Sequence, residues 1–328
     1  MIELLQLTVM HKPVWMWGAF LSVVMLLLAF DLGVLHRKDA EISVKQSLRL
    51  SLFYICMGLL FGVFVYAQLG PQSAQEYYTG FIIEKTLSLD NIFVISLVFS
   101  FFAIPRKLQY RVLFWGILGV IILRGLFIGL GAVVLQHFHW VLYLAGAFLI
   151  FKGISFLRGG DEEHDMSKNR VIRFFKKYLR CTDELHGNKF FIRKVDANSG
   201  KRAMFATPLF LALVVVEIVD LVFAVDSVPA IFAITTDEYI VYTSNIFAIL
   251  GLRALYFALA AMLHRFAYLK YSLAMVLIFI GGKIFVPLVS DIEKVPSGIS
   301  LAITLAILGA GIVYSLAKTK AAEKNARG

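Results

Sequence analysis

Charge is scarce in this chain. Asp, Glu, Lys and Arg make up 16% of its 328 residues, where a soluble globular chain holds about 25%. Hydrophobic residues reach 59% and mean hydropathy is +0.79, against about 45–50% apolar residues in soluble domains. This balance excludes a soluble domain, and 29 phenylalanines exclude a disordered or fibrous chain. Cysteine is limited to Cys56, in an apolar run, and Cys181, in a basic loop, so no disulfide framework exists. His11, His36, His137, His139, His164, His186 and His264 all fall in loops or near the ends of apolar runs. No histidine pair is therefore placed to hold a haem at mid-membrane. The short alternating strands of a β-barrel are absent. No basic leader or small-residue cleavage site marks the start, so the first apolar run is read as a retained helix.

What remains is a series of apolar runs at about 15–35, 47–69, 79–103, 112–136, 140–157, 206–234, 241–263, 270–290 and 298–317. Each is close to the roughly 20 residues that cross a bilayer as a helix. The expectation is an all-α polytopic membrane protein with about nine transmembrane helices. Net charge is +10, and the basic residues lie between the runs, which points to membrane topology and not to a nucleic-acid partner. Arg37, Lys38, Lys45 and Arg49 crowd the first loop, Arg106, Lys107 and Arg111 the third, Arg265 and Lys270 the seventh, and Lys318, Lys320, Lys324 and Arg327 the tail. The long fifth loop is also basic, whereas the eighth has only Lys294 and the loops between carry no Lys or Arg. The positive-inside rule then places the N-terminus outside and the C-terminus in the cytoplasm.

Five segments follow: residues 1–78 with the first two spans, 79–157 and 205–290 with three spans each, the basic loop 158–204, and 291–328 with the last span and tail. In the loop, VIRFFKKYLR reads either as an interfacial amphipathic helix or as a solvated linker. FFIRKV and KRAMFAT read as a short hairpin. The two three-span segments resemble each other. Glu84 aligns with Asp220, Asp90 with Asp226, Asn91 with Ser227, Arg124 with Arg253, and Gly153 with Gly281. Three is odd, so the second copy enters from the opposite face. Inverted repeats of this kind place a transporter's site at mid-membrane, on the repeat interface.

Five carboxylates lie well inside spans: Glu84 and Asp90 in the third, Glu217, Asp220 and Asp226 in the sixth. Ionised and unpaired, they would cost roughly 12 kcal/mol or more, so they must be protonated, paired or bound to cations. As structural struts they would pair with Lys85, Arg124, Arg253 and Lys283. Asp31, beside the basic first loop, reads as an entrance or interfacial residue. Asp90 lies about 240° round an ideal helix from Glu84, and Asp226 is offset from Asp220 in the same way. Convergence on one point therefore requires breaks in the third and sixth spans, near 88–91 and 224–229, the second at Pro229. Carboxylates, the Asn91 amide and the hydroxyls of Ser88 and Ser227 form a hard oxygen set, suited to Mg, Ca or Mn and poorly suited to zinc or copper. An intramembrane protease built on Asp90 and Asp226 lacks a glycine-rich surround of the GxGD type and leaves three acids unexplained.

The stretches EKTLSLDNIFV, VEIVDLVFAVDSVPAIFAITTD and TSNIFAILGLRALYF resemble the TerC family of integral membrane proteins, from roughly the first span to the eighth. The resemblance implies a bacterial cytoplasmic membrane location and manganese efflux. It maps the family's acidic motif, as metal-binding residues, onto Glu84, Asp90, Asn91, Glu217, Asp220 and Asp226, all present here. The function implied is a secondary transporter exporting Mn²⁺ in exchange for protons or another cation. It would not be an enzyme and would hold no permanent cofactor, its partners being the manganese ion, protons and the lipid bilayer. The alternative is a membrane redox modulator or tellurite-type stress factor without transport of its own.

Overall fold

The computed structural model describes residues 8–35, 44–138, 140–158, 181–182, 184–195, 202–259, 269–289 and 295–325. The apolar runs are helical as far as they are described. A two-residue ribbon, β1 (Thr8–Val9) and β2 (Lys12–Pro13), leads into α1 (Val14–Leu35). There follow α2 (Val44–Phe101), α3 (Arg106–His137) and α4 (Trp140–Leu157), then a hairpin of β3 (Phe191–Val195) and β4 (Arg202–Ala206). The last elements are α5 (Pro208–Phe232), α6 (Glu238–Leu250), α7 (Leu252–Leu259), α8 (Leu269–Lys283), α9 (Val286–Val289) and α10 (Ser297–Asn325). Among the described residues six helices are long and apolar enough to cross a membrane, seven if the bent pair α6–α7 counts as one span. The nine runs of the sequence reach that number by counting both arms of α2 and the shorter α8.

The long helix α2 is two arms. Gly70 sits at φ 85°, ψ 178°, a conformation that only glycine adopts without strain, and Pro71 follows at the start of the second arm. The chain turns back there. The Tyr77 hydroxyl donates to the Gly58 carbonyl at 2.9 Å and Tyr78 to Leu59 at 3.0 Å. The second arm and α5 then run without interruption through 88–91 and 224–229, so the breaks expected there are absent. Ser88 donates to the Glu84 carbonyl at 2.7 Å, which bends a helix at most. Pro229 stands near the end of α5 and removes only one bond. The break lies elsewhere, between α6 and α7, which meet at 40° around Gly251. Lys85 donates to the Ala248 carbonyl at 2.8 Å. It satisfies a helix-end oxygen there, in a place where pairing with an acid had been expected.

Outward faces are apolar: Leu26 of α1, Ile122 of α3, Phe151 of α4 and Val313 of α10 are all exposed. In water such faces would aggregate; in lipid they are solvated. Helix α6 is the opposite case, buried along nearly its whole length. Trp17 and Phe20 of α1 meet Tyr239, Tyr242 and Phe247 of α6 edge to face or tilted, with Trp17 and Tyr239 centroids 5.0 Å apart. Asp237 caps α6 by accepting from the backbone of Tyr239 and Ile240, and Lys12 reaches it at 2.6 Å.

Hydrophobic burial does little to hold helices together in lipid, so close backbone packing through small residues takes over. Helices α4 and α8 show it. A Cβ on Gly281 would lie 2.6 Å from the Gly146 carbonyl, and one on Gly153 2.7 Å from that of Ala274. The pairing of 146 with 281 and 153 with 274 makes the two helices antiparallel. Gly281→Ala should therefore destabilise the detergent-solubilised protein by about 1–3 kcal/mol. Gly282→Ala, where a Cβ meets open space, should leave the thermal midpoint in place. Equal midpoints for the two variants would contradict this packing.

Candidate functional site

The second arm of α2, together with α3, α5 and α6, brings polar side chains to one buried point. Arg124 of α3 is the hub. Its Nη1 donates to Glu84 Oε1 at 2.5 Å and to Asn245 Oδ1 at 2.7 Å, and reaches Ser227 Oγ at 3.2 Å. Its Nε and Nη2 donate to the two oxygens of Asp220 at 3.2 and 3.3 Å. Asn245 Nδ2 donates to the other oxygen of Glu84 at 3.2 Å, and Asn91 Nδ2 to Asp220 at 3.3 Å. Glu84 and Arg124 are each 1% exposed. Only arginine has a planar fork of five donors that can span this set.

Two carboxylates face one guanidinium, and with both ionised the buried point carries an excess of negative charge. A cavity of about 20 Å³ adjoins the cluster, lined by Glu84, Asn91, Arg124 and Ser227 with Leu87, Phe156, Phe223 and Leu277. It is large enough for one water-sized body. The Oδ1 atom of Asn91 is buried and has no hydrogen-bond partner. That orphaned oxygen beside two carboxylates is what a hard cation would take.

Of the residues singled out in the sequence, Glu84, Asn91 and Asp220 meet here. Glu217, one turn before Asp220 on α5, lies against α3, where a Cβ on Gly119 would overlap its carboxyl group. Its Oε2 is buried without a hydrogen-bond partner. The backbones of Asp90 and Asp226 lie on α2 and α5; their side chains are outside the described residues. Among the described residues no group of three or more His, Cys, Asp and Glu converges in a way that could hold a metal. The guanidinium stands between the two acids.

Asn245, which reads in the sequence either as lining a pathway or as bonding a neighbouring helix, belongs to the cluster. A lone amide in an apolar helix usually bonds to a neighbouring helix, and nothing in SNIFA marked its neighbour as a carboxylate. Arg253, aligned with Arg124, behaves differently. It forms a buried ion pair with Asp31 of α1, and its guanidinium stacks 4.0 Å from the Tyr110 ring centre. Asp31, read as an entrance or interfacial residue, is buried and paired. Lys283 donates to Ser300 Oγ at 3.2 Å.

An all-helical bundle with lipid-facing apolar surfaces and a buried charge cluster defines an integral, multi-pass membrane protein. The chain belongs to the TerC family of integral membrane proteins, whose family profile matches residues 69–323. An uncharacterized membrane protein of Rickettsia bellii (strain RML369-C) is 48% identical over 300 residues, covering 92% of this chain and 96% of that protein. The uncharacterized membrane protein STKORF319 of Myxococcus xanthus is 42% identical over 305 residues, 93% of each chain. The putative membrane-bound redox modulator Alx of Escherichia coli (strain K12) is 42% identical over 303 residues, 89% of this chain and 91% of that protein. No solved structure matches the chain.

The cluster makes a stability prediction. Removing one partner of a buried ion pair costs about 3–5 kcal/mol, whereas removing the charges on both sides is often neutral. Arg124→Met should lower the thermal midpoint sharply, and Arg124→Met with Glu84→Gln and Asp220→Asn should recover most of the loss. A single variant as stable as the parent would show that the acids do not depend on Arg124.

Proposed function

We propose that the chain is a secondary transporter that exports Mn²⁺ across the bacterial cytoplasmic membrane, with protons as the exchanged ion. The observation that carries this reading is the buried set of Glu84, Asp220, Asn91, Ser227 and Asn245 around Arg124. A pure strut balances its charge by pairing or protonation and leaves no orphaned oxygen. This cluster has two carboxylates to one guanidinium, an unpartnered amide oxygen and an adjoining cavity.

The packing supports the inverted repeat on which the reading rests. Exchanging the second arm of α2 with α5, α3 with α6–α7, and α4 with α8 reproduces the main contacts. The second arm of α2 packs on α6 and α7 as α5 packs on α3, and α4 packs on α8. The antiparallel glycine seam between α4 and α8 fits the same exchange. So do the polar contacts: Asn91 hydrogen-bonds Asp220, and Ser227, aligned with Asn91, shares the Arg124 Nη1 with Glu84. The cluster would then sit on the pseudo-two-fold axis, where such transporters bind their cargo. Basic loops on alternate sides support an N-terminus outside and a C-terminus inside.

In this account Arg124 is a tethered cation. It neutralises Glu84 and Asp220 when no metal is bound, which lowers the cost of holding two acids in a medium without water. A divalent cation competes for the same oxygens and displaces the guanidinium. Asp90, Asp226 and Glu217 complete the proposed acidic set. Hard oxygen ligands suit Mn²⁺ as they suit Mg²⁺ and Ca²⁺; the preference for manganese rests on the family resemblance. The name carried by the Escherichia coli relative offers a redox reading for comparison. Cys56 lies on α2 and Cys181 outside the named helices and strands, and neither is in a disulfide.

The test is metal flux into proteoliposomes, with Mn²⁺, Ca²⁺, Mg²⁺ and Zn²⁺ offered separately and internal pH recorded. Glu84→Gln and Asp220→Asn should each reduce Mn²⁺ movement at least about tenfold, the equivalent of 1.4 kcal/mol. An opposing pH change in the parent would identify protons as the counter-ion. Unaltered flux in both variants, or no flux of any metal through folded protein, would overturn the proposal.

A further inference from the structure

The β3–β4 hairpin has no role in the cluster, and its exposed face is unusual for a loop outside the membrane. The strands pair antiparallel, with Phe191 opposite Ala206, Arg193 opposite Met204 and Val195 opposite Arg202. Alternation therefore puts Phe191, Arg193, Val195, Arg202 and Met204 on one face. On it Phe191 is 43%, Val195 55% and Met204 58% exposed. The ten strand residues include Arg193, Lys194 and Arg202 and no acid. Among the described residues none of these three cations has an ion-pair partner.

The root of the hairpin is fixed to the start of α5. One residue, Thr207, joins β4 to α5, and its hydroxyl donates to the Lys189 carbonyl at 2.8 Å. The Phe191 ring packs on Phe210, in the first turn of α5, with centroids 4.3 Å apart. Arg111, near the start of α3, lies over the Phe190 ring at 5.2 Å. The 25 residues of α5 span about 37 Å at 1.5 Å per residue, longer than the hydrocarbon thickness of about 30 Å. The excess is enough for its first turn, and the phenylalanine stacked on it, to reach the headgroups. A two-stranded hairpin is also marginal in water unless a face is covered.

We propose that this face lies on the bilayer as a binding surface for anionic phospholipid headgroups. Phe191, Val195 and Met204 dip into the acyl boundary, and Arg193 and Arg202 reach lipid phosphates by extending their stems along the apolar surface. Lys194, on the opposite face, points towards water. The surface is independent of the transport reading.

The test uses the full-length protein with Cys56→Ser and Cys181→Ser, carrying a nitroxide at Val195→Cys. Its accessibility to oxygen and to a water-soluble nickel chelate is compared in two kinds of vesicle. In phosphatidylethanolamine–phosphatidylglycerol vesicles the label should be several-fold more accessible to oxygen than to the chelate. In phosphatidylcholine vesicles, or with Arg193→Ser and Arg202→Ser, it should shift towards the chelate. A label at Met204→Cys should repeat the pattern, which guards against a local disturbance at 195, and one at Lys194→Cys should remain aqueous. Chelate accessibility at 195 and 204 equal to that at 194 would overturn the proposal. So would the same immersion in both kinds of vesicle, because headgroup charge would then play no part.

Discussion

Two carboxylates buried inside a bundle of membrane-spanning helices impose the constraint on which the rest of this structure depends. Glu84 and Asp220 come from different helices and are both buried. Burial strips them of most of their hydration, and the protein supplies a cation and hydrogen-bond donors of its own. Arg124 does this from a third helix and Asn245 from a fourth. The arrangement explains why α6 is buried along nearly its whole length, and why Gly70 must fold the chain back to bring both arms of α2 into the bundle. It also explains the tight helix contacts. A charge cluster of this kind tolerates little movement, and helices in lipid gain rigidity chiefly from close packing of small residues.

The two aligned arginines are used differently. Arg124 serves acids from both three-helix segments, whereas Arg253 is drawn out to Asp31 on α1, which lies outside them. The two aligned arginines are thus unlike in their charge pairing. The asymmetry is a physical handle on what an alternate conformation would have to exchange. Release of Arg253 from Asp31 would leave a buried acid uncompensated, just as release of Arg124 would at the centre of the bundle. Both steps need another cation in the vacated place.

Most of the architecture was legible in the sequence because membrane helices are written in composition. The apolar runs mark the helices, and the intramembrane acids mark the buried point. Glu84, Asn91 and Asp220 were found that way, and the hairpin at 191–206 was found from its turn-flanked strands. The breaks inside the runs were not. Pro229 suggests a break, but near a helix end it removes a single bond; the turn at Gly70 is marked by the gap between the runs 47–69 and 79–103, and the bend at Gly251 has no such mark. Lys85 was read as an acid's partner because charge invites charge, yet a bent helix also exposes carbonyls, and the bend at Gly251 depends on tertiary packing. The pair of Asp31 with Arg253 is of the same kind, since it joins residues 222 positions apart in a fold that had to be known first.

The central claim is that a divalent cation and the Arg124 guanidinium compete for one set of oxygens. Anomalous scattering at the manganese edge, from crystals of protein loaded with Mn²⁺, tests it most directly. The account predicts a manganese peak at the carboxylates of Glu84 and Asp220, at the short oxygen distances of a hard cation, roughly 2–2.6 Å, with Arg124 no longer bridging them. Arg124 still bound to both acids in manganese-loaded crystals, with the metal elsewhere or absent, would contradict it.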